Sequence, residues 1–220
     1  MTDQKPHRIS IPKYSLSEEL LNAISHGLGA LFGIVGTVLC IVKAANTGDP
    51  WRIVSGSIFG VTVLLLYLMS CLYHALKVNM AKRVFRVIDH CTIFLLIAGT
   101  YTPFTLVTLR GTVGWVLFGI VWGMAVLGIT LNAVNLKKFS KISVACYLVM
   151  GWAIIAAFQP LAEALAPQGV SLLIWGGIAY TVGAILYGIG AKVKYFHSVF
   201  HFFCLAGTVL HFFAIYLYVL

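Results

Sequence analysis

Seven long apolar runs, separated by short polar stretches, make up most of this chain. The first follows Glu19 and meets no Lys, Arg, Asp or Glu before Lys43. The second covers residues 53–76, and the third lies between Asp89 and Arg110, with Pro103 as an expected kink. The fourth fills residues 111–136 and the fifth 142–162. The sixth lies between Glu163 and Lys192, its first part (164–169) reading as loop, and the seventh is 195–220. A bilayer crossing needs about 20 apolar residues, and every run is long enough. Ser15-Leu16-Ser17-Glu18 has the S-x-x-E spacing of a capping box, which predicts that the first helix opens there. The pattern predicts an all-α integral membrane protein: a polar lead over 1–14, then one seven-transmembrane helix bundle over 15–220.

Composition supports a bilayer setting. Of 220 residues, 60% are hydrophobic and 10% charged, whereas a soluble domain carries about 25% charged residues. Lys and Arg number 15 against 6 Asp and Glu, a net charge of +9. In a membrane protein that excess sits in cytoplasmic loops facing anionic lipid. No basic tract interleaved with aromatics points to nucleic acid, so the expected partners are membrane lipids. Twelve of the cations fall in the N-terminal lead and the second, fourth and sixth linkers, against Lys43, Arg52 and Arg110 on the other side. The positive-inside rule then puts the N-terminus in the cytoplasm and the C-terminus outside. Residues 1–20 show no signal-peptide core, so the first span is expected to do the targeting, to a bacterial inner membrane. Cys40, Cys71, Cys91, Cys146 and Cys204 lie in apolar segments without a C-x-x-C pair and read as buried free thiols. No transporter-like repeat is seen. Gly29-x-x-x-Gly33 and Gly119-x-x-x-Gly123 are weak signals of close helix approach, and homo-oligomerisation stays open.

The chemistry lies in polar residues that a membrane segment does not tolerate without reason. With the orientation above, Ser70 and His74 end the second span on the cytoplasmic side, and Asp89, His90 and Cys91 open the third. His197 and His201 open the seventh, four residues apart and so on one helix face, about 6 Å apart along its axis. Glu18, Glu19, Asn22 and His26 open the first span in the same layer. Three histidines with one open position are the usual ligand set of a catalytic zinc, and His74, His197 and His201 are the candidates. Asp89 is the candidate general base, or acceptor from a ligand imidazole. Ser70, one turn before His74, can donate to a water or an oxyanion. Bland readings exist: a back-bond for Ser70, and a salt bridge from Asp89 to Arg86 or Lys82. His90 points about 100° away from Asp89 and reads as interfacial. His211, about 15 Å beyond His201 along the helix, reads as a hydrogen-bonded interior histidine. Glu18 reads as the capping partner of Ser15, and Asn22 and His26 suit packing as well as catalysis. Cys71 and Cys91 are poorly aimed for a fourth ligand. Trp51, Trp115 and Trp175 suit an outer aromatic belt, and Trp122 and Trp152 lie deeper.

Ser70-Cys-Leu-Tyr-His74, Asp89-His-Cys, Ala98-Gly-Thr-Tyr-Thr-Pro103-Phe and His197-x-x-x-His201 resemble the bacterial hemolysin III branch of the progestin and adipoQ receptor family. Tyr14-Ser-Leu-Ser-Glu-Glu19 and Asn22-x-x-Ser-His26-Gly resemble its N-terminal motif. The resemblance covers nearly the whole chain. It implies seven helices with the N-terminus inside and a Zn2+ held by His74, His197 and His201 near the cytoplasmic face. In the wider superfamily such a site is associated with lipid-amide hydrolysis. The expected function is therefore a zinc-dependent, ceramidase-like hydrolase of a lipid amide or ester, with Asp89 and Ser70 as catalytic residues. Its metal would lower the pKa of a water to about 7, and Asp89 would take the proton. The long cytoplasmic head of the animal receptors is absent, which argues against hormone reception. The alternatives are a receptor or regulator of membrane lipid homeostasis with a structural zinc, a proton or ion carrier, and a pore-forming cytolysin. The last is disfavoured because no polar stripe lines a channel.

Overall fold

The computed structural model describes residue 9, residues 11–190 and residues 193–220. Most of the 1–14 lead, and Lys5, Arg8 and Lys192 of the charge balance, lie outside the described residues. The described secondary structure is all helical. Six helical stretches are long and apolar enough to cross a membrane.

Helix α1 (Leu16–Ala45) starts where the capping signal lies: Ser15 caps it, and Glu18 bonds back to the Ser15 backbone. Helix α2 (Pro50–Ala75) starts on Asp49, whose carboxylate accepts from the Trp51 amide, with Pro50 in the first turn. Proline loses nothing there, because that amide has no helical partner. Helix α3 (Met80–Pro103) begins earlier than the apolar run, because Asn79 caps it by accepting from the Lys82 amide. Lys82, Arg83 and Arg86 therefore lie on a helix, not in a linker. Pro103 ends the regular helix, and the chain continues as a π-helical turn over Phe104–Thr108.

Helix α4 (Thr112–Trp152) holds the largest departure from the expected spacing. It runs on through a 3-10 segment (Ala153–Ala157) into the short α5 (Phe158–Ala164), so the fourth and fifth apolar runs form one 53-residue stretch. Asn135 interrupts it with φ −160° and ψ 86°, and its side chain accepts from the Lys138 amide. Asn135 thus behaves as the N-cap of a second limb. Asn132 and Tyr147 would stand about 22 Å apart on one straight helix, yet the Asn132 amide donates to the Tyr147 hydroxyl at 3.3 Å. Ser143 also donates to Asn132 Oδ1 at 2.6 Å. The stretch bends back on itself at Asn135. The loop expected over 164–169 shrinks to two residues, for α6 (Pro167–Gly190) begins on a proline. Helix α7 (Phe196–Tyr218) follows Tyr195, which stands in the left-handed region at φ 65°.

Helix α1 packs on α2 and α7, α2 on α3, α3 on α4, and α6 on α7. Small residues set how close these helices come, because lipid tails supply no hydrophobic drive between spans. A side chain at Gly33 would meet the Leu64 backbone at 2.9 Å, and one at Gly29 would strike the Tyr67 ring. By contrast, Gly119 and Gly123 have nothing within 4 Å, so that second spacing brings no helices together here. The tight α1–α2 contact carries the His74 end of α2 up against the first turns of α1.

Candidate metal centre

One ring nitrogen from each of His74, His197 and His201 lies within 4.8 Å of the others. Their elements explain the convergence. His74 stands in the last turn of α2, and His197 and His201 stand in the first two turns of α7 on a shared face. The ring centroids of His74 and His201 are 5.0 Å apart, and those of His197 and His201 are 4.7 Å apart. His74 and His201 are buried, and His197 is half-buried.

Three features of the donor set suit a metal. Two nitrogens held about 2.0–2.1 Å from a tetrahedral zinc lie roughly 3.3 Å apart; the Nε2 atoms of His197 and His201 are 3.2 Å apart. His74 Nδ1 is 2.7 Å from Glu19 Oε2. A carboxylate can only accept, so Nδ1 carries a proton, and in the neutral imidazole that leaves Nε2 to present its lone pair. That Nε2 is buried without a partner among the described residues. An imidazole bonded to a carboxylate on its far side is the common outer-shell arrangement of metal-binding histidine.

Glu19 is the residue that sequence reasoning left without a role. It also accepts from Lys82 Nζ at 2.7 Å. Lys82 is almost fully buried and donates as well to the carbonyls of Leu76 and His74, at 3.0 and 3.5 Å. The lysine thereby closes the carbonyl end of α2 and balances Glu19. Removing Glu19 would leave the buried Lys82 ammonium uncompensated, a loss that typically costs about 3–5 kcal/mol. The available signal was the polar stripe Glu19, Asn22 and His26 along α1, but its partner could not be read from spacing. The bland salt bridge from Asp89 to Lys82 is not formed; Lys82 serves Glu19.

The rest of the layer is aromatic and polar. His26 stacks on His201 with centroids 3.7 Å apart. Tyr14 stacks on His197 at 4.9 Å, covering it from the N-terminal side, and burial pushes the Tyr14 phenol above its ordinary range. Glu18 joins α1 to α7: beyond its capping box it accepts from the Tyr195 amide at 2.9 Å. Ser70 and Asp89 are buried and line a cavity of about 160 Å³, shared with His197 and His201, that runs between α3, α4, α6 and α7. His90 lines it too, which corrects the interfacial expectation. Its Nδ1 lies 2.8 Å from the Arg86 carbonyl and 3.6 Å from Asp89, and its Nε2 lies 3.4 Å from the Tyr187 hydroxyl. His211 is the interior histidine expected, bonded to the Leu173 carbonyl at 3.1 Å. Cys91 Sγ turns away to the Ile129 carbonyl on α4. Among the described residues no cysteine, carboxylate or further histidine joins the three-histidine group.

Fold and site together define a multi-pass helical membrane protein with a buried three-histidine cluster beside an apolar cavity. The chain belongs to the haemolysin-III related family, whose pattern matches residues 14–212. It is 43% identical over 205 residues to "Hemolysin-3" of Bacillus cereus, covering 93% of each chain. It is 46% identical over 205 residues to the "Hemolysin-3 homolog" of Bacillus subtilis (strain 168), covering 93% of this chain and 96% of that one. No solved structure matches it. The six apolar helices and the bacterial relatives assign it to the bacterial inner membrane.

Proposed function

We propose that this haemolysin-III family protein is a zinc-dependent hydrolase acting on a lipid amide or ester near the cytoplasmic face. One observation carries the reading: a three-histidine donor set with no fourth side-chain donor among the described residues, next to an apolar cavity. Structural zinc is usually closed by four protein ligands, whereas catalytic zinc keeps a position open. Zinc bound here would supply Lewis acidity at neutral pH. His74, His197 and His201 would hold the ion, and the Glu19 carboxylate at His74 Nδ1 would leave Nε2 to face it. Asp89 accepts a proton at the cavity wall, and Ser70 donates a hydrogen bond to the carbonyl under attack. The apolar wall takes the acyl chain and keeps bulk water out. The name of the Bacillus relatives suggests lysis, but a cavity walled mainly by apolar side chains suits a lipid chain better than an ion path. A lipid-state regulator with the same zinc is the reading left if no turnover is found. Metal analysis of the purified protein, run beside a screen of lipid amides and esters, tests the proposal.

In this reading the two limbs of α4 cross separately, which makes seven crossings with the N-terminus in the cytoplasm. Lys137, Lys138 and Lys141 beside the bend suit a cytoplasmic turn. A reporter fused after Leu220 should read as outside the cytoplasm; a cytoplasmic signal would remove both the orientation and the depth assigned to the site.

A further inference from the structure

The residues from Tyr14 to His26 place one side chain behind each of the three histidines. An imidazole binds a metal through a lone pair in its ring plane, so that plane must be held for the ion to stay in reach. The usual hold is a hydrogen bond to the far ring nitrogen, and His74 has one, from Nδ1 to Glu19 Oε2 at 2.7 Å. The two histidines of α7 have no such bond among the described residues. His201 Nδ1 is buried without a partner at hydrogen-bonding geometry, and His197 meets only the facing His201 nitrogen, at 3.2 Å.

Both carry a stacked ring instead. Tyr14 lies on His197 with centroids 4.9 Å apart and planes 17° apart, and His26 lies on His201 at 3.7 Å and 16°. The three histidines are tilted against one another by 49°, 60° and 73°, so near-parallel packing is confined to the two outer rings. Those rings are themselves held. Glu18 accepts from the Ser15 amide, beside Tyr14, and from the Tyr195 amide, beside α7, both at 2.9 Å. His26 meets the Tyr67 ring at 84°, with centroids 4.9 Å apart, and Tyr67 shares a 2.6 Å hydrogen bond with Thr208. Neither His26 nitrogen has a described partner at hydrogen-bonding geometry, so this residue acts through its ring.

We propose that Tyr14 and His26 are positioning residues of the metal centre, fixing the ring planes of His197 and His201 by stacking, as Glu19 fixes His74 by a hydrogen bond. This rests on the three-histidine cluster being a metal site, and not on the reaction run there. A bound metal draws electron density from its imidazoles, and a partly cationic ring gains from an aromatic face laid against it. The stack therefore strengthens when metal is bound. The contact needs a flat ring but no nitrogen or hydroxyl. Phenylalanine should then replace either residue, whereas leucine, apolar but not flat, should not.

The test titrates the purified full chain in nanodiscs with zinc against a chelator, and with cobalt, whose visible absorption reports the ligand geometry. Tyr14→Leu and His26→Leu should each bind zinc roughly two- to tenfold more weakly and show an altered cobalt band. Tyr14→Phe and His26→Phe should restore both readouts to the wild-type result. Phenylalanine variants that fail as the leucine variants do would assign the effect to the His26 nitrogens or the Tyr14 hydroxyl and overturn the proposal. Leucine variants with wild-type affinity would also overturn it, as would weaker binding with an unchanged cobalt band, the mark of general loosening. If the buried His26 variants do not fold, the Tyr14 pair, at the half-buried entry to α1, decides alone. A wild type that takes up metal but turns over no lipid removes the hydrolase only; one that takes up neither metal removes the site and this inference together.

Discussion

Alanine at His74, His197 or His201 should each strip the purified protein of most of its zinc. A zinc site binds with about 10–16 kcal/mol spread over its ligands, so losing one of three should weaken binding on the order of 10²–10⁴-fold. The three effects should be similar, because the donor atoms all lie within 4.8 Å of one another. His211→Ala should keep its zinc, since that histidine bonds the Leu173 carbonyl at the far end of the cavity. Glu19→Gln should fall between, losing roughly 10–100-fold, the usual effect of removing a carboxylate behind a ligand histidine. Metal per chain after dialysis against a graded chelator series reads the wild type and all five variants on one scale. A wild type without metal, or a His211→Ala protein that loses it as readily, would show the site to be misassigned.

Asparagine at Asp89 should leave zinc in place and remove turnover. The side chain lines the cavity with His197 and His201 but is not in the donor group, so its loss should not open the metal site. General-base catalysis contributes about 10²–10⁴-fold, and asparagine keeps the shape while losing the proton acceptor. Zinc content and rate, measured on the same preparation, separate the roles. Loss of zinc along with rate would make Asp89 a ligand, and the site would then be closed, as a regulator's structural zinc is.

Much of the site was legible because bilayers penalise polar side chains. In a chain with 10% charged residues, a histidine pair at helical spacing and a second histidine at a span end stand out. A common layer was expected from the charge asymmetry of the loops, and the structure brings one ring nitrogen of each within 4.8 Å of the others. What hydropathy could not supply was partnership. Glu19 was placed in the polar layer without a partner and Lys82 was offered to Asp89, whereas the two bond each other and bracket His74. The start of α3 was missed for the same reason: three cations end the apolar run, but Asn79 is a sound cap that was available to be read. His90 was judged by its angle to Asp89 on an isolated helix. The cavity that α4 and α6 bring alongside α3 gave that face something to line. The bend at Asn135 was anticipated as a linker, and the lysines around it were taken as loop, yet they sit on helical residues flanking one extended asparagine.

The most direct measurement is acyl release from lipid amides and esters by the purified protein in nanodiscs, first stripped with chelator and then reloaded with zinc. The account predicts no release from the stripped protein, release that returns with one zinc per chain, and none from Asp89→Asn carrying the same zinc. A wild type holding its full zinc that cleaves no amide or ester offered would contradict it.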